Sequence, residues 1–107
     1  MSFRVVTIPP FDRQLKRLAR KYQSIKTDLA ELGEQLTKTP KMGTHIGQDC
    51  YKIRMAISSK GKGKSSGARI ITHVYVDGDT IYLLAIYDKS EQEVITDQEL
   101  DSLLRFT

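Results

Sequence analysis

A chain of 107 residues, 39% hydrophobic and 28% charged, with a net charge of +4, is read as one domain over 1–107 with room for a single small core. Its one cysteine, Cys50, excludes an internal disulfide, and no Cys/His cluster has zinc-ligand spacing, so neither a stapled secreted scaffold nor a metal site is expected. The opening MSFRVVTIPPF is too short an apolar stretch for a signal peptide, and no run approaches the roughly 18 apolar residues of a membrane span. A cytoplasmic protein without membrane contact is the expectation.

Ser2 to Ile8 is rich in β-branched residues and reads as a short strand that Pro9 and Pro10 stop. A helix follows, with Phe11, Leu15, Leu18, Ala19 and Tyr22 on one face and Arg13, Lys16, Arg17, Arg20 and Lys21 on the others. Ser24 is the expected N-cap of a second helix, whose apolar positions Ile25, Leu29, Leu32 and Leu36 run up to Thr39-Pro40. So tight a junction predicts an antiparallel helical hairpin. After a polar loop holding Gly43 and Gly47, the period changes to alternation: Tyr51, Ile53, Met55 and Ile57 point one way, Lys52 and Arg54 the other. The run from Lys60 to Gly67 contains no apolar residue and reads as a mobile basic loop. Ala68–Val76 and Thr80–Tyr87 form a hairpin of strands about Asp77-Gly78-Asp79, the second strand apolar on both faces and therefore interior. Thr96 and Glu99 have capping-box spacing, and Ile95 with Leu100 that of a hydrophobic staple, at the head of a short C-terminal helix. The predicted class is α+β in the order βααβββα: an antiparallel sheet covered on one face by the helical hairpin.

Charge is distributed unevenly along this order. Residues 1–76 carry 15 basic and 5 acidic side chains, residues 77–107 carry 2 and 8. Lys52 and Arg54 share one strand face, Arg69, Ile71, His73 and Tyr75 one face of the next, so hairpin pairing assembles a basic surface opposite the helices. Lys60, Lys62 and Lys64, separated by glycines, add ammonium groups and open backbone donors. Such a surface fits a nucleic-acid backbone, although charged loops are also often simply solvated. Histidine titrates near neutrality, which makes His73 a candidate general base; a strand histidine is also commonly just packed or hydrogen-bonded.

The segment YKIRMAISSKGKGKSSGARIITHVYVDGDTIYLLAIYDKSEQEVIT, preceded by FDRQLKRLARKYQSIKTDL, resembles the RelE/ParE superfamily of toxins from bacterial type II toxin–antitoxin modules. The basic loop, the GARIITHVY strand and YDKSE resemble most the HigB-like, RelE-type branch. That resemblance implies a ribosome-dependent endoribonuclease: the RNA's own 2′-hydroxyl attacks the adjacent phosphate, with no metal or other cofactor. It further implies Arg69 as phosphate stabiliser and Lys89 of YDKSE as charge stabiliser or proton donor; the strand faces add Arg54 to this set, and the charge pattern adds contacts to RNA from Lys52, Lys60, Lys62 and Lys64 and from the helix residues Arg13, Lys16, Arg17, Arg20 and Lys21. A late tyrosine that some relatives use is missing, since Phe106 is the one aromatic residue after Tyr87. The acid and base thus stay unassigned. The implied partners are an acidic cognate antitoxin, the ribosome and mRNA. Two alternatives stand beside this reading: a ParE-like inhibitor of DNA gyrase that cuts nothing, and a non-catalytic nucleic-acid-binding module.

Overall fold

Pro9 and Pro10 do not precede the first helix but open it. The proline ring already holds a helical φ, and the N–H it lacks is one that a helix's first turn leaves unpaired. The chain runs β1 (Arg4–Thr7), α1 (Pro9–Lys21), α2 (Ile25–Lys38), β2 (Thr44–Gly47), β3 (Cys50–Met55), β4 (Ala68–Tyr75), β5 (Thr80–Asp88) and α3 (Asp97–Leu104). These elements are those of a computed structural model that describes residues 2–61, 63–92 and 94–107.

The five strands form one sheet in the order β1-β5-β4-β3-β2. From β5 to β2 every pair is antiparallel, whereas β1 lies parallel to β5, Arg4 opposite Thr80 and Thr7 opposite Leu83. The sheet is therefore mixed rather than antiparallel throughout: a parallel pair needs a long crossover, and everything between β1 and β5 supplies it. β5, with β1 on one side and β4 on the other, is interior as its composition predicts. β2 lies where a polar loop is expected. Four residues, two of them exposed, show no alternation; what makes the strand is the tight turn after it, in which Gln48 and Asp49 both have positive φ (52° and 57°). That pair of conformations is the one whose twist suits a two-residue hairpin.

Phe11 and Leu18 of α1 and Ile25, Leu32 and Leu36 of α2 are buried with Ile53, Met55, Ile70 and Ile86 in the core on one side of the sheet. The opposite face carries Cys50, Lys52 and Arg54 of β3, then Arg69, Ile71 and His73 of β4, then Tyr82, Ala85 and Tyr87 of β5, as their register shows. Leu84 is the extra residue of a bulge, and it brings Tyr82 rather than Leu83 to the side of His73. α3 lies across the middle of this second face. Leu100 shares a cleft with Ile46 and Lys52, and Leu103 another with Ala85 and Tyr87. Its capping box forms as expected, Thr96 Oγ1 accepting from Glu99 N while Glu99 accepts from Thr96 N. Among the described residues no helix is long and apolar enough to cross a membrane.

Candidate nucleic-acid interface

Arg54 and Arg69 are direct register partners on β3 and β4, and Tyr87 is the partner of Arg69 on β5. Arg54 is exposed, whereas Arg69 is only 3% exposed. The Arg69 guanidinium donates through Nη1 to the carbonyls of Lys64 (3.0 Å) and Ala68 (3.2 Å), so it also holds the second limb of the basic loop. Lys64 is exposed and shares with Arg54 a cleft of about 180 Å³ whose far wall includes Asp28 and Glu31 of α2. Lys89 follows the end of β5 and extends the ladder by one step, its N–H donating to the Gly67 carbonyl at 3.1 Å. One end of the open face thus collects Arg54, Arg69, Lys64 and Lys89. Lys52, further along, is half-buried beside Ile95, Asp97 and Leu100.

The loop that forms this end is pinned by two carboxylates. Its first limb, a 3-10 turn at Ser58–Lys60, is tied to Asp28, which accepts from Ser58 N (2.9 Å), Ser58 Oγ and Ser24 Oγ (2.9 Å). Ser24 consequently does not cap α2 with its side chain, because its hydroxyl serves Asp28 and receives Ser59 N. Burial works against the Asp28 charge, and the bonds from Ser58 and Ser24 overcome it, leaving the carboxyl below its ordinary range. The second anchor is Asp88, fully buried, which accepts from Tyr22 OH, Ser90 N (3.0 Å) and Lys60 Nζ (3.2 Å). Lys60 also donates to the Ser66 carbonyl at 2.8 Å and lies over the Tyr22 ring. With its side chain 15% exposed, Lys60 is part of the scaffold and does not stand free for phosphate as expected. Lys62 lies outside the described residues.

Gly67 closes the loop against β3, where a Cβ would fall 2.2 Å from the Met55 carbonyl oxygen. Backbone cannot yield as a side-chain tip can. Gly67→Ala is therefore expected to cost about 1–3 kcal/mol through forced displacement, read as a drop in melting temperature with a matching loss of activity.

His73 sits at the other end of the open face, four residues from Arg69, about 13 Å at a strand's rise per residue. The two do not converge on one phosphate. His73 Nδ1 lies 3.0 Å from the Gln48 carbonyl, and because a carbonyl only accepts, Nδ1 carries a proton in that contact. Tyr82 lies beside it at 6.2 Å between ring centroids. Cys50, 3.6 Å from the same Nδ1, is fully buried; desolvation, with the Asp49 charge adding, pushes its thiol up to about 12. Since the thiolate is the nucleophile, native protein at pH 8 is expected to resist iodoacetamide and to take up one equivalent only on unfolding, as intact mass will show.

The basic helix is partly answered by the acidic segment. Arg17 pairs with Glu91 at 3.2 Å, and Lys21 lies 3.9 Å from Asp88, while Arg13, Lys16 and Arg20 are exposed. Sequence reasoning missed Asp28 and Asp88 as anchors. The first had a signal, since Asp28 falls on the helical face of Ile25, Leu29 and Leu32, where a carboxylate must find donors.

Residues 11–107 match the family model described as RelE toxin of the RelE/RelB toxin–antitoxin system. Among solved structures the chain is similar to a double arginine-to-alanine mutant of E. coli toxin RelE in the free state, with a TM-score of 0.64 and 16% identity over 98% of this chain and 97% of that one. It is also similar to the isolated E. coli RelE toxin, with a TM-score of 0.57 and 15% identity over the full length of both chains.

Proposed function

We propose that this chain, which belongs to the RelE family of toxins, cleaves mRNA on the ribosome and so halts translation. As a toxin of a toxin–antitoxin system it has an antitoxin as partner; the ribosome and mRNA are the partners that the proposal adds. In the proposed reaction the 2′-hydroxyl of the RNA attacks the adjacent phosphorus, the 5′ oxygen of the next nucleotide leaves, and a 2′,3′-cyclic phosphate remains. No metal is required in this scheme. The protein's task is to neutralise charge gathering on the phosphoryl oxygens and to return a proton to the leaving oxygen.

The observation that carries this reading is the facing pair Arg54 and Arg69. Like charges directly opposite on neighbouring strands repel, and an anion between them converts that repulsion into a forked, charge-assisted grip. A phosphodiester is such an anion. Arg69, its Nη1 held by the Lys64 and Ala68 carbonyls, contributes a fixed positive charge from the buried strand, Arg54 and Lys64 approach from the exposed side, and Lys89 is the proposed proton donor or charge stabiliser. His73, at its distance from Arg69, acts on RNA beyond the scissile phosphate, and the exposed Arg13, Lys16 and Arg20 grip ribosomal RNA.

Sequencing of message ends on ribosomes after brief expression tests the reading. Cuts confined to ribosome-bound message are expected, with none in free RNA. Intact message together with blocked DNA supercoiling by the purified protein would overturn it in favour of a gyrase inhibitor.

A further inference from the structure

β1 ends opposite Leu83, so the remainder of β5 has no strand on that side. Gln14 of α1 takes over the lost pairing at one point, its Oε1 accepting from Ile86 N at 3.1 Å. Beside it, where Ala85 contributes only a methyl group, a cleft of about 250 Å³ opens between β5 and α3, with Tyr87, Ile95 and Leu103 as further apolar walls. Tyr87 is the register partner of Arg69, so the cleft begins one strand away from the arginine pair.

We infer that this cleft is a nucleobase subsite that admits bases carrying an exocyclic amine and disfavours uracil. The inference rests on the reading of the protein as an RNase and names a specificity determinant within it. Aromatic and aliphatic walls suit the faces of a planar base, and the polar groups at the cleft set which edge is accepted. Glu99 lines the cleft, with Oε1 held by Thr96 and Oε2 left to a long 3.5 Å contact from Gln92 Nε2. A carboxylate only accepts hydrogen bonds, so the base must donate to it. Gln14, its carbonyl oxygen spent on Ile86, has its amide nitrogen left as a donor. An amine next to a ring acceptor, as in adenine, cytosine and guanine, answers both groups. Uracil flanks its one Watson–Crick N–H with two carbonyl oxygens, which the Glu99 carboxylate repels.

Glu99→Gln separates this role from helix capping, because glutamine also completes a capping box; its carbonyl takes the Oε1 position and its NH2 replaces the free acceptor. Cut-site sequencing is expected to show uridine at least tenfold depleted at one fixed position in the parent and near parity there in Glu99→Gln. Ser102→Trp, which fills the cleft from α3, is expected to slow cleavage at least tenfold at all sites and to remove the preference. An unchanged base profile in both variants overturns the inference. Titration of the inactive-as-nuclease or active protein alike with 5′-AMP, 5′-CMP, 5′-GMP and 5′-UMP provides a readout independent of cleavage. Amide shifts at Ala85 and Leu103 with the first three and not with 5′-UMP support the subsite even if no message is cut. No shift with any nucleotide, with antitoxin perturbing the same amides, assigns the cleft to a protein side chain and overturns it.

Discussion

Alanine at Arg69 is expected to lower message cleavage on ribosomes by about 100- to 1000-fold, the usual effect of removing a donor aimed at charge that develops in the transition state, and to abolish growth inhibition. The residue has two jobs, since the same guanidinium holds the Lys64 carbonyl. Arg69→Lys distinguishes them. Lysine keeps the positive charge but loses the planar fork, so it is expected to recover binding of ribosomes without recovering the rate. Melting curves complete the test: if the loss of cleavage in Arg69→Ala merely tracks its unfolded fraction, or if cleavage stays within a few fold of the parent, the phosphate role is wrong. Arg54→Ala is the companion variant, expected to lower cleavage with little change in stability because Arg54 is exposed.

The largest loss of stability is expected from Asp88→Ala. It strands the Lys60 ammonium and the Tyr22 hydroxyl in a site where Asp88 itself is fully buried. Breaking a buried pair by deleting one partner typically costs about 3–5 kcal/mol, which for a domain of this size lowers the melting temperature by on the order of 10–25 °C. Burial alone would raise the Asp88 carboxyl, but the bonds from Tyr22, Ser90 and Lys60 outweigh it and hold the group far below the ordinary carboxylate range. The sign of the pH dependence follows. A carboxyl depressed in the folded state contributes its full stabilisation above its unfolded pKa of about 4, and that stabilisation fades as pH falls below it. Urea unfolding from pH 7 to 3 is expected to show a steep acid loss in the parent and a shallower one in Asp88→Asn, with Asp28 accounting for part of what remains. Equal slopes would show that Asp88 does not govern the acid limb. Lys60→Met, which removes the other partner while keeping most of the apolar stem, is expected to be milder because Tyr22 and Ser90 still serve the carboxylate.

The helices were legible because the periodicity of their apolar residues matches burial closely: Phe11 and Leu18, then Ile25, Leu32 and Leu36, are all buried. That Arg54 and Arg69 share one face of the sheet followed from alternation and hairpin pairing, whereas their direct register pairing is visible only in the folded chain. Three features were not legible, each for a physical reason. β2 has four residues and no alternation, and its existence depends on the left-handed pair Gln48 and Asp49, which no side-chain pattern announces. Lys60 looks like its loop neighbours in composition, yet its partner Asp88 lies 28 residues away, and only the folded chain shows that this lysine is consumed. The position of α3 was equally hidden. Its apolar stripe predicts that one side is covered, but not which face of the sheet covers it; resting across the open face, it divides a surface that alternation alone presents as continuous.

The parallel pairing of β1 with β5 has a consequence for timing. Arg4 meets Thr80, 76 positions further along the chain, so during synthesis the first strand has no partner until β5 has left the exit tunnel. Contacts of such long sequence separation form late, because the entropy of closing the loop must be met before they contribute. α1 lies against β5, and its Gln14 bonds Ile86, so it waits as well. A nascent chain therefore holds Arg54 and Arg69 in sequence well before it holds them in a finished sheet. Under the proposed activity, the ribosome that makes this chain meets a finished arginine pair only after the strand region has been translated.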